Sequence, residues 1–194
     1  MAKKNEIKWI GERISFLDDE YKTTIVIRPN LSPWIKAVYG AWISMWITIG
    51  IVVFYFVFSQ TLTNKEQIIL FVFLSFWSYY AYRVGKQFLW IMWGQERFKI
   101  NESAFSIKKS YFNYGKAQSY LLQNINKLRG VDIKENSLQS VWESSPWIGG
   151  GERFEFDYLG KVVRFGRKLN SKEQHLLFQV ITKRIQDNLR KNSK

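Results

Sequence analysis

The chain has no cysteine, a single histidine and only three prolines in 194 residues. Without cysteine there are no disulfides, no thiolate metal sites and no thiol nucleophile. One histidine, His175, cannot build a multi-histidine metal centre, and it reads as a surface or packing residue near the start of the last helix. Acidic residues are scarce too: 16 against 29 Lys and Arg, a net charge of +13. That excess implies an anionic partner, whether nucleic acid, anionic lipid or an acidic protein surface. A further shortage is local. Residues 37–58 (AVYGAWISMWITIGIVVFYFVF) hold no charge, and neither do residues 67–82 (QIILFVFLSFWSYYAY).

Those uncharged runs are the first positive signal. A helix needs about 20 apolar residues to cross the hydrocarbon core. The first run meets that length. The second meets it by continuing past Arg83 and Lys86 into FLWIMW, with the two cations snorkelling to the headgroups. The short polar join SQTLTNKE makes the pair a helical hairpin, about 37–58 and 67–90 within residues 35–93. A secretory leader fits poorly, because the run is longer than a leader's apolar region and a second span follows at once. Gly40, Ala41, Ser44 and Gly50 supply close-packing points on the first span. The Trp and Tyr residues at the span ends suit interfacial anchoring. No Asp, Glu or His lies inside either span, so an ion or proton relay has no candidate residue. Residues 1–36 carry seven Lys and Arg, and Arg83, Lys86, Arg97 and Lys99 follow the second span, whereas the join carries only Lys65. Positive flanks stay inside, so both termini are expected in the cytoplasm, with the hairpin in the cytoplasmic (inner) membrane.

The flanking segments read as β structure. ERISFLDDEYKTTIVIRPN predicts a hairpin: Ile14 and Phe16 on one strand, Asp18–Glu20 as the turn, Thr24 to Ile27 on the other. This hairpin, within residues 1–34, needs a packing partner to be stable. Beyond residue 93, RFKIN and AFSIKKSYFNYG alternate apolar and polar residues, and further strands are expected near Tyr120–Leu122, Leu128–Ile133 and in SLQSVWESSPW. RFEFDYLGKVVRFG is a hairpin, with Phe154, Phe156 and Tyr158 on one face and Leu159-Gly160-Lys161 as the turn. The last element is an amphipathic helix, with Ser171 as N-cap, Gln174 completing a capping box, and residues 188–194 as a basic tail.

This order, two membrane helices and then a run of antiparallel strands closed by one helix, resembles bacterial pleckstrin-homology-like membrane proteins. The stretches that carry the likeness are GQERFKINESAFSIKKSYF, INKLRGVDI and GGGERFEFDYLGKVVRFGRKLNSKEQHLLFQVI, within residues 94–187. The resemblance implies an α+β fold: a small antiparallel sheet or partly open barrel capped by a C-terminal amphipathic helix. It supplies no catalytic residues.

Gly149, Gly150 and Gly151 do not form a phosphate loop. Such a loop needs Gly-Lys-Ser/Thr leading into a helix, whereas here Glu152 opens a strand. A turn that uses positive φ fits better. The neighbouring Trp147 and Ile148 are the candidate loop contact with bilayer or partner.

From residue 83 onward there are 21 cationic and ten acidic residues. Arg97, Lys99, Lys108, Lys109, Lys116, Arg164, Arg167 and Lys168 are the candidate contacts to anionic lipid or to a partner. No nucleic-acid-binding signature accompanies the charge. No nucleophile–base set and no cofactor motif can be named. The expected function is a non-enzymatic, membrane-anchored interaction module: an accessory subunit, scaffold or assembly factor of a membrane complex. The alternative is a module that senses anionic lipid.

Overall fold

The computed structural model describes residues 7–19, 21–131, 145 and 149–192. They form two compact units, one spanning Leu31–Met92 and the other built from the chain on both sides of it.

The first unit is a pair of helices, α1 (Pro33–Ser59) and α2 (Asn64–Trp93). Ser32 caps α1 by accepting the Ile35 N–H, and Pro33 takes the first turn, where its missing N–H costs nothing. Thr63 and Glu66 form a reciprocal capping box at the start of α2, with bonds of 2.8 and 3.4 Å. Tyr39 stacks on Phe88, and the Trp77 indole donates to the Trp46 carbonyl at 3.0 Å. Gly50 lies against Trp77, and Gly40 faces Phe88. Ala41 and Ser44 are exposed, and the Ser44 hydroxyl donates back to the Gly40 carbonyl. Most other apolar side chains of the pair are exposed, including Ile51, Phe54, Phe58, Ile69 and Phe76. A soluble core helix buries such residues. Both helices are long and apolar enough to cross a membrane.

Among the described residues the second unit contains nine strands and one helix. Strands β1 (Ile7–Ile10), β2 (Ile14–Asp18), β3 (Lys22–Ile27), β4 (Gly94–Asn101), β5 (Ala104–Tyr111) and β6 (Ala117–Leu121) form an antiparallel sheet in chain order. A 3₁₀ turn (Leu122–Asn124) leads to β7 (Ile125–Gly130), β8 (Glu152–Tyr158) and β9 (Lys161–Arg167), a second antiparallel sheet. Helix α3 (Ser171–Asn192) follows. The β2–β3 hairpin is where the sequence places it, but β1 adds a third N-terminal strand, and β3 pairs with β4 across both long helices (Ile27 opposite Glu96). The N-terminal hairpin therefore belongs to the large sheet. The SLQSVWESSPW stretch lies outside the described residues, apart from Ser145.

Strand alternation turns Ile14, Ile25, Phe98, Ile100, Phe105 and Ile107 inward from the first sheet. Phe154, Phe156 and Phe165 answer from the second, and Leu177, Ile181 and Ile185 from α3. The rings interlock across the sheets: Phe165 sits edge-on to Phe98 at 5.1 Å and to Phe105 at 5.3 Å. Each buried Phe contributes roughly 2 kcal/mol of transfer free energy. Among the described residues the strands form two open sheets and no closed barrel.

Two details of α3 differ from the sequence reading. Its capping box is Asn170–Glu173, one position earlier than expected: Asn170 Oδ1 accepts the Glu173 N–H at 2.7 Å, and Glu173 Oε2 accepts the Asn170 N–H at 3.0 Å. Gln174 instead reaches the carbonyls of Val131 and Arg153. The helix also continues through Asn192, over the stretch expected as a tail.

Candidate functional site: the cationic strands of the β domain

The eight cationic candidates fall into three groups, set by strand parity. Phe98 and Ile100 point inward on β4, so Arg97 and Lys99 point outward. The β4–β5 register sets Arg97 directly opposite Lys108. Like charges in that position repel, and Asn113 in the β5–β6 turn separates them. Its Oδ1 accepts from Arg97 at 3.0 Å and from Gln95 at 3.1 Å, while its carbonyl accepts from Lys108 at 2.9 Å. Asn113 has φ of 72°, a left-handed conformation that asparagine tolerates better than most residues. Arg97, Lys99 and Lys108 thus form an outward-facing group.

The second group is spent on internal pairs. Glu96 shares the inward parity of Phe98 and is buried on β4. Its Oε2 accepts the backbone N–H groups of Gly166 and Arg167 at 3.1 and 3.0 Å, tying the two sheets together. Burial pushes the Glu96 carboxyl above the usual range, against the pull of Lys109 at 3.8 Å and of those two N–H groups. Arg167 donates to Glu152 at 3.2 Å. Burial would raise Glu152, but Lys109 and Arg167 together hold it below the usual carboxylate range. Lys168 donates to the Ser145 carbonyl at 2.6 Å, and burial followed by the Arg167 charge pushes its ammonium down.

The third group lines a cleft of about 180 Å³ between the β5–β6 edge and β9. Lys109, Lys116 and Arg164 stand around it, with Ile107 and Val163 as its apolar wall. Lys109 is held at 3.1 Å from Glu152, and Arg164 Nε donates to Glu155 at 3.1 Å. The hydrogen bond from Arg129, 2.7 Å away on the other oxygen, is the main influence holding Glu155 below the usual range. Lys116 is exposed and makes no ion pair among the described residues. Gln118 and Tyr120 complete the lining.

Trp147 and Ile148 lie outside the described residues. Of the three glycines, Gly150 and Gly151 have φ of 127° and 72°, and the Gly151 carbonyl accepts the Lys168 N–H as the chain enters β8. This is turn geometry leading into a strand. Among the described residues no three His, Asp or Glu side chains gather as a metal site. The sequence reading passed over Glu96, Gln118 and Tyr120. Glu96 carried a signal, since it sits at the apolar parity of ERFKI.

No family model, curated protein or solved structure matches this chain. Among the described residues the fold is mixed α+β: two apolar helices of membrane-spanning length, and a β domain of two antiparallel sheets and a helix.

Proposed function

We propose that this chain is a multi-pass protein of the cytoplasmic membrane that presents a pleckstrin-homology-like β domain, with both termini, to the cytoplasm. The domain acts as a non-enzymatic interaction module, an accessory subunit, scaffold or assembly factor of a membrane complex. The β3–β4 pairing supports the topology. The chain leaves one sheet, runs through both helices and returns to the neighbouring strand, which requires an even number of membrane crossings. The basic flanks then favour the cytoplasmic side.

The interaction role is carried by β1. It is the outer strand of the large sheet, and Ile7 and Trp9 on its outward face are 60% and 56% exposed. Among the described residues no strand pairs with its outer side, and such an edge with apolar side chains is a route to strand addition by a partner. The test is a mild-detergent pull-down of the tagged full chain with mass spectrometry. A stoichiometric membrane partner is expected, lost in Trp9→Lys and kept in Leu159→Lys. A lone monomer with no protein partner would overturn the reading.

The outward group Arg97, Lys99 and Lys108 favours a second reading, recognition of anionic lipid, where each cation near the surface contributes on the order of 1 kcal/mol. Full-length Lys108→Glu in anionic nanodiscs tests it. Unchanged lipid enrichment around the protein would exclude it.

A further inference from the structure

We infer that the cleft between β6 and β9 is a binding site for a phosphate monoester group. The inference does not rest on the membrane placement or on the partner reading. It comes from what the cleft presents to a ligand. Lys109 is committed to Glu96 and Glu152, but Arg164 uses only Nε on Glu155, so neither terminal nitrogen of its fork has a hydrogen bond among the described residues. The Lys116 ammonium has none either.

Gln118 adds a directional element. The Tyr120 hydroxyl donates to Gln118 Oε1 at 2.8 Å, which occupies the amide's acceptor and leaves its NH₂ as the free end. Tyr120 is itself held edge-on between Phe156 at 5.2 Å and Tyr158 at 5.0 Å, so the amide is fixed by a packed ring. The polar lining thus offers an ammonium, a guanidinium fork and an amide NH₂ against an apolar wall of Ile107 and Val163. The Lys116 ammonium, the Arg164 fork and the Gln118 NH₂ are donors that suit an oxyanion, and the arginine fork matches two oxygens of a phosphoryl group at once. The cleft volume of about 180 Å³ leaves room for a phosphoryl group and the first atoms attached to it.

A seam that only joined two sheets would be filled with apolar side chains. Lys109 and Arg164 are paired with carboxylates on their inner sides, so the cleft's uncompensated charge is that of Lys116, which an anion would neutralise. The phosphate can belong to a soluble metabolite or to a lipid headgroup, and the cleft chemistry is the same for both.

The test uses the full chain in phosphatidylcholine nanodiscs, titrated with glycerol 3-phosphate and followed by phosphorus NMR. Saturable binding is expected, weakened tenfold or more in Arg164→Gln and in Lys116→Gln and unchanged in Lys99→Gln on the outer face of the sheet. Nanodiscs doped with phosphatidic acid separate the sources: loss of the soluble probe's binding assigns the site to a lipid headgroup, and its retention assigns the site to a soluble phosphate. Absence of saturable binding, or an equal loss in Lys99→Gln, would overturn the proposal. Lys116 makes no described bond, so its variant reports on the cleft even where Arg164→Gln fails to fold.

Discussion

Arg13, in the turn between β1 and β2, grips Glu173 in the first turn of α3 across 160 residues of sequence, with bonds of 2.9 and 2.6 Å to the two carboxylate oxygens. The same guanidinium donates to the Lys168 carbonyl. Glu173 meanwhile completes the helix cap with Asn170. One carboxylate therefore starts α3 and fastens it to the N-terminal strands.

Removing either partner leaves the other charge largely buried and unpaired. Arg13→Ala and Glu173→Gln are each expected to cost roughly 2–3 kcal/mol, and the double variant less than their sum. Hydrogen exchange of α3 amides in the full chain reads the loss. The pH sign follows from the depressed Glu173 carboxyl, in which burial is outweighed by Arg13 and the Asn170 N–H. Its contribution is present above the ordinary carboxylate range and is lost as pH falls through the lower folded value. Acid sensitivity at the start of α3 that persists unchanged in Glu173→Gln would refute this assignment.

Glu96 behaves in the opposite direction. Its folded pKa is raised, so its contribution is complete at low pH and declines as pH rises through the folded value. Glu96→Gln keeps an acceptor for the Gly166 and Arg167 N–H groups, and is expected to change stability by less than about 1 kcal/mol while flattening this pH dependence. Glu96→Ala leaves both N–H groups unpaired and a void behind them, a cost of about 3 kcal/mol. Denaturation of the two variants across pH separates them.

Gly166 has φ of 77°, and a Cβ there would lie 2.6 Å from a Phe154 ring carbon. Gly166→Ala therefore combines left-handed strain with a clash against the core. A destabilisation of roughly 3 kcal/mol is expected, measurable as earlier exchange of β8 and β9 amides.

In the helical unit, a Cβ on Gly50 would fall 2.0 Å from the Trp77 ring, which its indole hydrogen bond to Trp46 holds in place. Gly50→Leu is expected to cost the pair 1–3 kcal/mol by the usual scale of overpacking, about the same range in detergent. Gly40→Ala, with 3.7 Å of room to Phe88, is expected to be nearly silent. Thermal loss of the helical circular-dichroism signal compares them.

Much of this architecture was legible in the sequence. The charge-free runs mark α1 and α2, because uninterrupted apolar runs of about 20 residues read as long helices. The alternation in ISFLD, KTTIVI, RFKIN and RFEFDY locates β2, β3, β4 and β8, because a strand has period two. β1 was missed because IKWI is too short to show a period. The capping box was set one residue late, because Ser171 and Gln174 satisfy the same spacing as Asn170 and Glu173, and only the Arg13 contact decides between them. The eight cations were visible as residues but not as groups. Grouping depends on the pairing of Arg97 with Lys108 and on β9 lying near β6, both long-range relations. A partner's identity and an oligomeric state left no mark in the composition.

The pairing of Ile27 with Glu96 also bears on when the large sheet can close. During synthesis β1, β2 and β3 emerge first, and β4, the hydrogen-bonding partner of β3, follows only after both apolar helices have been made. Three strands alone bury little, and the closing of so long a loop is paid in chain entropy before any contact returns it. The nascent N-terminal strands therefore wait unpaired at the β3 edge until Trp93 is past. A pause in making the two helices would lengthen the time for which that edge is open to aggregation.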